Sequence, residues 1–398
     1  MKALSNFFTK EKLNIKKIYT IILSLIIIFS FLINLYYFFL TKEQPLWWDE
    51  AEYMSTAKSW AFDIPYKIAP QRPPLFPLLG AIIFKLGLSA LTFKFLFVLI
   101  PTVLNVFVIY LLGKEMFNKK TGIIAAFIMA VFWSIIFWTA RFHPDSLALL
   151  LQLLAIYFFW VGFVKNKSKI KFSILIGLFI GLAFLVKIQA LLLFPIFGIF
   201  IILSEKFKFL KKKEYWFLLI AFFITILPYL IWNFFTYGNI FAFSTGYTKP
   251  ISDTGAPFAW NMLNFLFIFT EWPYFILFLI GITGGLFNLI IGFDMFIKNK
   301  DEKLKGDFLS FIIIIIVLAF FIFYMRIKTA EERWLYLMAP FIFIFSSKAL
   351  VFIFDKIKKY SYLFAFTIVF SILIIGAFIH LNHADQIIDI KKDTYLQV

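Results

Sequence analysis

Acidic side chains are scarce in this chain of 398 residues, which has 22 Asp and Glu, so the places where they gather are informative. Trp47-Trp48-Asp49-Glu50-Ala51-Glu52-Tyr53 sets three carboxylates within four residues. A helix starting here puts Asp49 at its N-terminus, with Tyr53 one turn on and on the same face. A solvated helix cap in an aromatic belt reads the same way. The flanking Trp47, Trp48 and Trp60 favour a partly desolvated cleft, where a carboxylate's pKa climbs toward general-base range. Arg141-Phe142-His143-Pro144-Asp145-Ser146 is a second candidate. Asp145 follows a proline and suits a helix cap, and a capped helix end is also a rigid mount for a reactive group. Arg141 and His143 are placed either to contact an anion or to snorkel at an interface.

Lys187 is the most informative cation. It sits in Ala183-Phe184-Leu185-Val186-Lys187-Ile188-Gln189-Ala190, between two apolar runs joined by almost no loop. A charge so placed is a functional hypothesis by default, usually with a partner. Arg326, Lys328 and Arg333 surround Glu331 and Glu332, either as a surface ion-pair loop or as a further anion-binding group. Carboxylates at 49, 50 and 145 with cations at 141, 187, 326, 328 and 333 allow one kind of chemistry together: a general base beside a phosphate clamp.

The elements that must position these groups follow from composition. Hydrophobic residues make up 62% and charged residues 15%, against about 45–50% and about 25% in soluble domains. Apolar runs such as 18–40 and 308–325 match the roughly 20 residues of a bilayer-spanning helix and lack the alternation of a membrane β-barrel. The fold class is therefore an all-α polytopic membrane protein. Eleven spans are expected near 18–40, 93–113, 121–138, 145–163, 171–186, 188–204, 216–235, 272–297, 307–325, 333–350 and 361–380. Lys10, Lys12, Lys16 and Lys17 precede the first span, a retained signal anchor, and place the N-terminus in the cytoplasm. The side it shares then holds 25 of the 39 Lys and Arg but 9 of the 22 Asp and Glu. The net charge of +17 is thus a topology signal and implies no nucleic-acid partner. With no cysteine, disulfides, thiolate nucleophiles and cysteine-ligated metals are excluded.

This arrangement requires residues 75–89 not to cross the membrane. At about 1.5 Å per residue they reach short of the roughly 30 Å hydrocarbon core, and they read as an interfacial helix opened by Arg72-Pro73-Pro74. Two outer segments are long: a first outer loop, 41–92, and 236–271, whose glycines and prolines suggest a lid. The chain 1–398 is expected to be one membrane domain with no separate soluble domain. Gly177/Gly181 and Gly281/Gly285 have the spacing of close helix packing, and the 59 phenylalanines are read as lipid-facing and core filler.

Five segments in register carry a family resemblance. They are Trp48-Asp49-Glu50-Ala51-Glu52-Tyr53, Arg72-Pro73-Pro74-Leu75, Pro144-Asp145, Gly181-Leu182-Ala183-Phe184-Leu185-Val186-Lys187 and Arg333-Trp334-Leu335-Tyr336-Leu337-Met338-Ala339-Pro340. Over residues 18–345 the chain resembles the GT-C superfamily of membrane glycosyltransferases, especially its ArnT-like and protein-O-mannosyltransferase-like branch. Arg72 stands where that branch often has histidine. The resemblance implies a polyprenyl-phosphate-linked sugar donor and an inverting transfer to a protein, lipid or glycan hydroxyl on the non-cytoplasmic face. Asp49 takes the family's catalytic-acid position, with Glu50 and Asp145 as further catalytic candidates. Arg72, Arg141, His143, Lys187, Arg326, Lys328, Arg333 and Tyr53 are expected to bind substrate. No cofactor is required, since cations can hold one departing phosphate ester, although Asp49 and Glu50 leave a divalent metal open. A transporter or flippase for a lipid-linked glycan is the competing reading. It would place ionisable groups near the bilayer midplane on broken helices, whereas here they gather at helix ends.

Overall fold

The computed structural model describes residues 2–66, 68–244, 258–297, 301–325 and 332–395, and within them all regular structure is helical. Fifteen α-helices follow in chain order: α1 Lys2–Leu40, α2 Trp48–Phe62, α3 Leu75–Lys85, α4 Ala90–Lys94, α5 Ile100–Met116, α6 Lys119–Ala130, α7 Trp133–Thr139, α8 Asp145–Phe159, α9 Lys169–Val186, α10 Leu193–Glu205, α11 Lys213–Tyr237, α12 Phe258–Ile297, α13 Glu302–Met325, α14 Ala339–Ile357 and α15 Tyr362–Tyr395. One π-helical turn, Phe95–Leu99, fuses α4 and α5 into a single span, Ala90–Met116.

Among the described residues, nine helices are long and apolar enough to cross a membrane, and α6 with α7, bent by 52°, makes a tenth. The one expected span outside these ten, 333–350, corresponds to α14, which carries Lys348, Asp355 and Lys356. Its first twelve residues are buried apart from the half-buried Lys348, so α14 is an interior helix whose lower end turns polar. Residues 41–92 carry, as expected, two helices between the first two spans, α2 and α3, lying against each other. The segment 236–271 differs from expectation. Residues 258–271 are the start of α12, and 245–257 lie outside the described residues. α12 breaks at Glu271 (φ 56°, ψ 153°), two residues before Pro273, whose ring disfavours helical geometry just upstream.

Packing follows the small residues. A Cβ on Gly177 would overlap the Leu218 carbonyl and one on Gly181 would meet the Thr225 side chain, so α9 and α11 approach backbone to backbone. Gly281 and Gly285 let α12 reach Phe345 of α14 in the same way. Helices in lipid gain little from burying apolar surface, so such contacts supply much of the cohesion. Phenylalanine serves both surfaces. Phe159 stacks on Phe197 with ring centres 4.1 Å apart in the core, while Phe235 and Phe378 are exposed.

Candidate active site

At one end of the bundle the termini of α1, α2, α7, α8 and α9 converge with the segment before α14, and the expected ionisable residues meet there. α2 begins at Trp48, and the Glu50 carboxylate accepts from the Trp47 N–H at 2.6 Å, fixing the first turn. Asp49 projects from that turn with both oxygens engaged. Arg72 donates to Oδ1 at 2.5 Å and Arg333 donates to Oδ2 at 2.9 Å. Arg72 also donates to Glu52 at 2.5 Å and lies over the Tyr53 ring. Arg333 reaches back to His143 Nδ1 at 2.7 Å and lies 3.7 Å from Asp145 Oδ2. Lys187 completes the row with a tight ion pair to Asp145 Oδ1.

The result is one alternating chain of charge: Glu52, Arg72, Asp49, Arg333, Asp145, Lys187. Lys187 can reach it because α9 stops at Val186 and the chain turns extended at Lys187 (φ −155°, ψ 125°) before re-entering helix. Asp145 is the first residue of α8 behind Pro144, held rigidly with its side chain 1% exposed. Its Oδ2 has no hydrogen-bond partner among the described residues. Asp145, Lys187 and Arg333 line a small pocket with Gln152, Gln189 and Tyr336. Asp49, Arg72, Lys187 and Arg333 keep between 13% and 25% of their side chains exposed, so a ligand can touch them.

Several expected roles change in three dimensions. Trp48 is 82% exposed and does not cover the carboxylate. Burial does work to raise the Asp49 pKa, but Arg72 and Arg333 outweigh it, and the carboxyl lies below its usual range rather than in general-base range. Glu50 is buried, and its oxygens accept from Arg141, the Phe142 N–H and the Trp47 N–H. Arg141, expected to meet an anion, is 4% exposed and is spent on Glu50, Gln44 and the Pro45 carbonyl while stacked over Trp47. This pair ties α2 to the α7–α8 junction and does not line the pocket. His143 is buried behind Arg333. Burial first, then Arg333 and Lys187, push its pKa well below the ordinary value, so it is neutral and accepts at Nδ1. Tyr53 is buried as a platform under Arg72, with its hydroxyl pKa pushed up to about 12, chiefly by burial. Arg326 and Lys328 lie outside the described residues.

Two neighbours of these side chains, Glu52 and Trp138, were not among the expected site residues. Glu52 holds Arg72, and its position three residues after Asp49 on one helix was the available signal. Trp138 supports Arg333 at 4.7 Å, packs edge-on to His143 and donates to Glu332 at 2.8 Å; nothing in its sequence context marks it. The Asp49 and Glu50 oxygens accept from cationic or N–H donors, and no group of three His, Cys, Asp or Glu side chains placed to hold a metal ion occurs among the described residues.

Residues 71–232 match the family described as dolichyl-phosphate-mannose-protein mannosyltransferase, a stretch that contains Arg72, Arg141, His143, Asp145 and Lys187 but neither Asp49 nor Arg333. No curated protein matches the chain by sequence. In structure the chain is similar to the archaeal oligosaccharyltransferase AglB from Archaeoglobus fulgidus, solved with an inhibitory peptide and a dolichol-phosphate (TM-score 0.63, 16% identity, 92% of this chain and 55% of AglB). It is also similar to ArnT from Cupriavidus metallidurans bound to undecaprenyl phosphate (TM-score 0.62, 12% identity, 81% of this chain and 60% of ArnT). The chain thus spans little more than half the length of these proteins. The resemblance read from the motifs is borne out: the chain has the GT-C fold.

Proposed function

We propose that this protein is an inverting glycosyltransferase that moves a sugar from a polyprenyl-phosphate carrier to a hydroxyl acceptor on the non-cytoplasmic face of a membrane. The observation that carries the reading is the Asp49 carboxylate shared between Arg72 and Arg333, one residue away from the Asp145–Lys187 pair. In a single displacement the acceptor oxygen bonds to the anomeric carbon as the bond to the phosphate oxygen breaks. The electron pair leaves with the polyprenyl phosphate, and the acceptor's proton passes to Asp49. Arg333 and Lys187 neutralise the departing phosphate, a charge that grows in the transition state. That AglB and ArnT were solved with polyprenyl phosphates supports a carrier of this type.

The saturated Asp49 gives the reading a specific form. A carboxylate held by two guanidinium groups is a weak base. A donor phosphate competes for the same guanidinium groups, so binding it draws positive charge off Asp49 and raises its basicity where the acceptor arrives. Base activation is then coupled to donor binding, which limits idle deprotonation. His143 and Trp138 fix where Arg333 can go, and Glu52 and Tyr53 do the same for Arg72. No step is routed through a metal. The competing transporter reading gains nothing from the charged row, which is cross-linked at one end of the helices.

The test is turnover. Purified protein is incubated with labelled polyprenyl-phosphate sugars and a set of hydroxyl acceptors, and both released polyprenyl phosphate and sugar-bearing product are measured. Equal yields of the two support the proposal. Donor binding with no release of polyprenyl phosphate under any acceptor would overturn it in favour of transport.

A further inference from the structure

A second cavity, of about 230 Å³, is lined by the Glu50–Arg141 pair and shares no lining residue with the Asp145–Lys187–Arg333 pocket. It is bounded by the end of α1 at Thr41, the middle of α2 and the start of α4. Its ionisable lining is lopsided: Glu50 and Arg141 answer each other, which leaves three lysines, Lys42, Lys58 and Lys94, and no second carboxylate in the lining. Lys94 is 3% exposed. Its ammonium donates to the Ala140 carbonyl at 2.6 Å and to Thr41 Oγ1 at 3.4 Å, beside the Phe38 ring. It has no carboxylate partner among the described residues, and an ammonium carries three donors. Arg141 Nε is buried and has no hydrogen-bond partner among the described residues. Lys58 is exposed and in no ion pair among the described residues, while Lys42 has only a loose, exposed contact with Glu43.

A buried lysine is costly unless its charge is answered. A purely structural Lys94, bracing α7 through Ala140, would explain one of its donors but not the open volume or the other cations. What fits is an anion with several acceptor oxygens. The setting narrows the source. The cavity lies where the spans Lys17–Leu40 and Ala90–Met116 reach the same end, which is headgroup depth in a bilayer. Exposed apolar side chains flank it, with Leu46 in its lining, Phe39 just before it on α1 and Leu88 just before it on the approach to α4. We propose that this cavity binds the phosphate headgroup of an anionic membrane lipid, whose chains lie along α1 and α4. The bound phosphate would press on Arg141 and so on the Glu50 contact that sets the N-terminus of α2. The proposal does not depend on the glycosyltransferase reading.

The experiment titrates the purified full chain in neutral detergent with dihexanoyl-phosphatidylglycerol and follows the unfolding temperature. Matched arms use dihexanoyl-phosphatidylcholine and inorganic phosphate. Phosphatidylglycerol is expected to raise Tm saturably and the other two are not. Lys94→Gln should raise the half-saturating concentration by about tenfold or more, as loss of a charge-assisted contact does, and Lys58→Gln should raise it by less. If Lys94→Gln does not fold, the double variant Lys42→Gln/Lys58→Gln, which changes exposed positions, gives the same reading. Unchanged titrations in all of these variants overturn the proposal. So does an equal response to free phosphate, which would leave no role for the lipid. Loss of the response in Lys187→Ala but not in the cavity variants would also overturn it, by placing the lipid at the active site.

Discussion

Two ion-pair systems sit at opposite ends of this bundle and are built to different rules. At the far end from the candidate site, Lys348 of α14 and Asp307 of α13 form a tight ion pair, with Asn288 also hydrogen-bonded to Asp307 and Lys348 over the Phe117 and Phe345 rings. Asp307 is 2% exposed, and its partner's charge is fully answered. At the candidate-site end the row from Glu52 to Lys187 alternates sign, keeps every member but Asp145 partly exposed and leaves Asp145 Oδ2 with a loose 3.7 Å contact to Arg333 and no hydrogen bond among the described residues. A closed pair holds helices together. An open row that shares its charges can exchange a protein partner for a ligand at small net cost, which is what an anion site needs.

The largest effect expected is on turnover. Asp49→Asn should lower transfer from a labelled donor by about 10²–10⁴-fold, the usual contribution of a general base, whereas Asp307→Asn should leave the rate per folded molecule unchanged. Comparable rate losses in both variants would erase the distinction between the two ends. Asp49→Asn also weakens the hold on Arg72 and Arg333, so it is expected to cost some stability as well.

Stability should show the reverse order. Lys348→Met leaves Asp307 buried and unpaired, which costs about 3–5 kcal/mol by chemical denaturation; the double change Lys348→Met/Asp307→Leu should recover most of it. Lys187→Ala lies between the two cases. It removes a contact made to the donor in both ground and transition states, so donor affinity and turnover should fall together, by about 2–5 kcal/mol in kcat/KM. Loss of kcat alone would mean Lys187 acts only on the leaving group.

Acid titration sharpens the comparison further. The folded Asp49 pKa is depressed, so the stabilisation its ion pairs give is present above the ordinary carboxylate pKa and is lost as pH falls through the lower, folded value. The acid limb of kcat/KM, which reports the free enzyme, should therefore lie below the ordinary carboxylate range. If donor binding draws the arginines off Asp49, the acid limb of kcat moves to higher pH. Coincident limbs would remove the coupling between donor binding and base activation. The smallest effect concerns the frame. Gly177→Ala forces a methyl against the Leu218 carbonyl and should cost about 1–3 kcal/mol in stability with kcat little changed.

Much of this architecture was legible in one dimension. Run lengths marked the spans, because a bilayer core has a fixed thickness, and residues 75–89 were read as too short to cross; the helix that forms there, α3, has only eleven residues. The glycine pairs at 177/181 and 281/285 announced helix contacts that the packing bears out. Asp49, Asp145, Lys187 and Arg333 stood out by residue type and placement, and they do meet. Lys94 was missed although it lay inside an expected span, where a charge should have drawn the same attention as Lys187.

Roles within the site were decided only by tertiary structure. Asp49 and Arg333 are 284 residues apart and Lys187 and Asp145 are 42 apart, so no local pattern could say which cation answers which carboxylate. Whether Trp48 covers Asp49 or faces outward, and whether Arg141 meets a ligand or Glu50, depends on how α2 is set against the α7–α8 junction. Composition and charge bias fixed a membrane bundle because the bilayer tests each segment by itself, for length and polarity. A carboxylate's basicity is set instead by every charge within a few ångströms, and only the folded chain brings those charges into range.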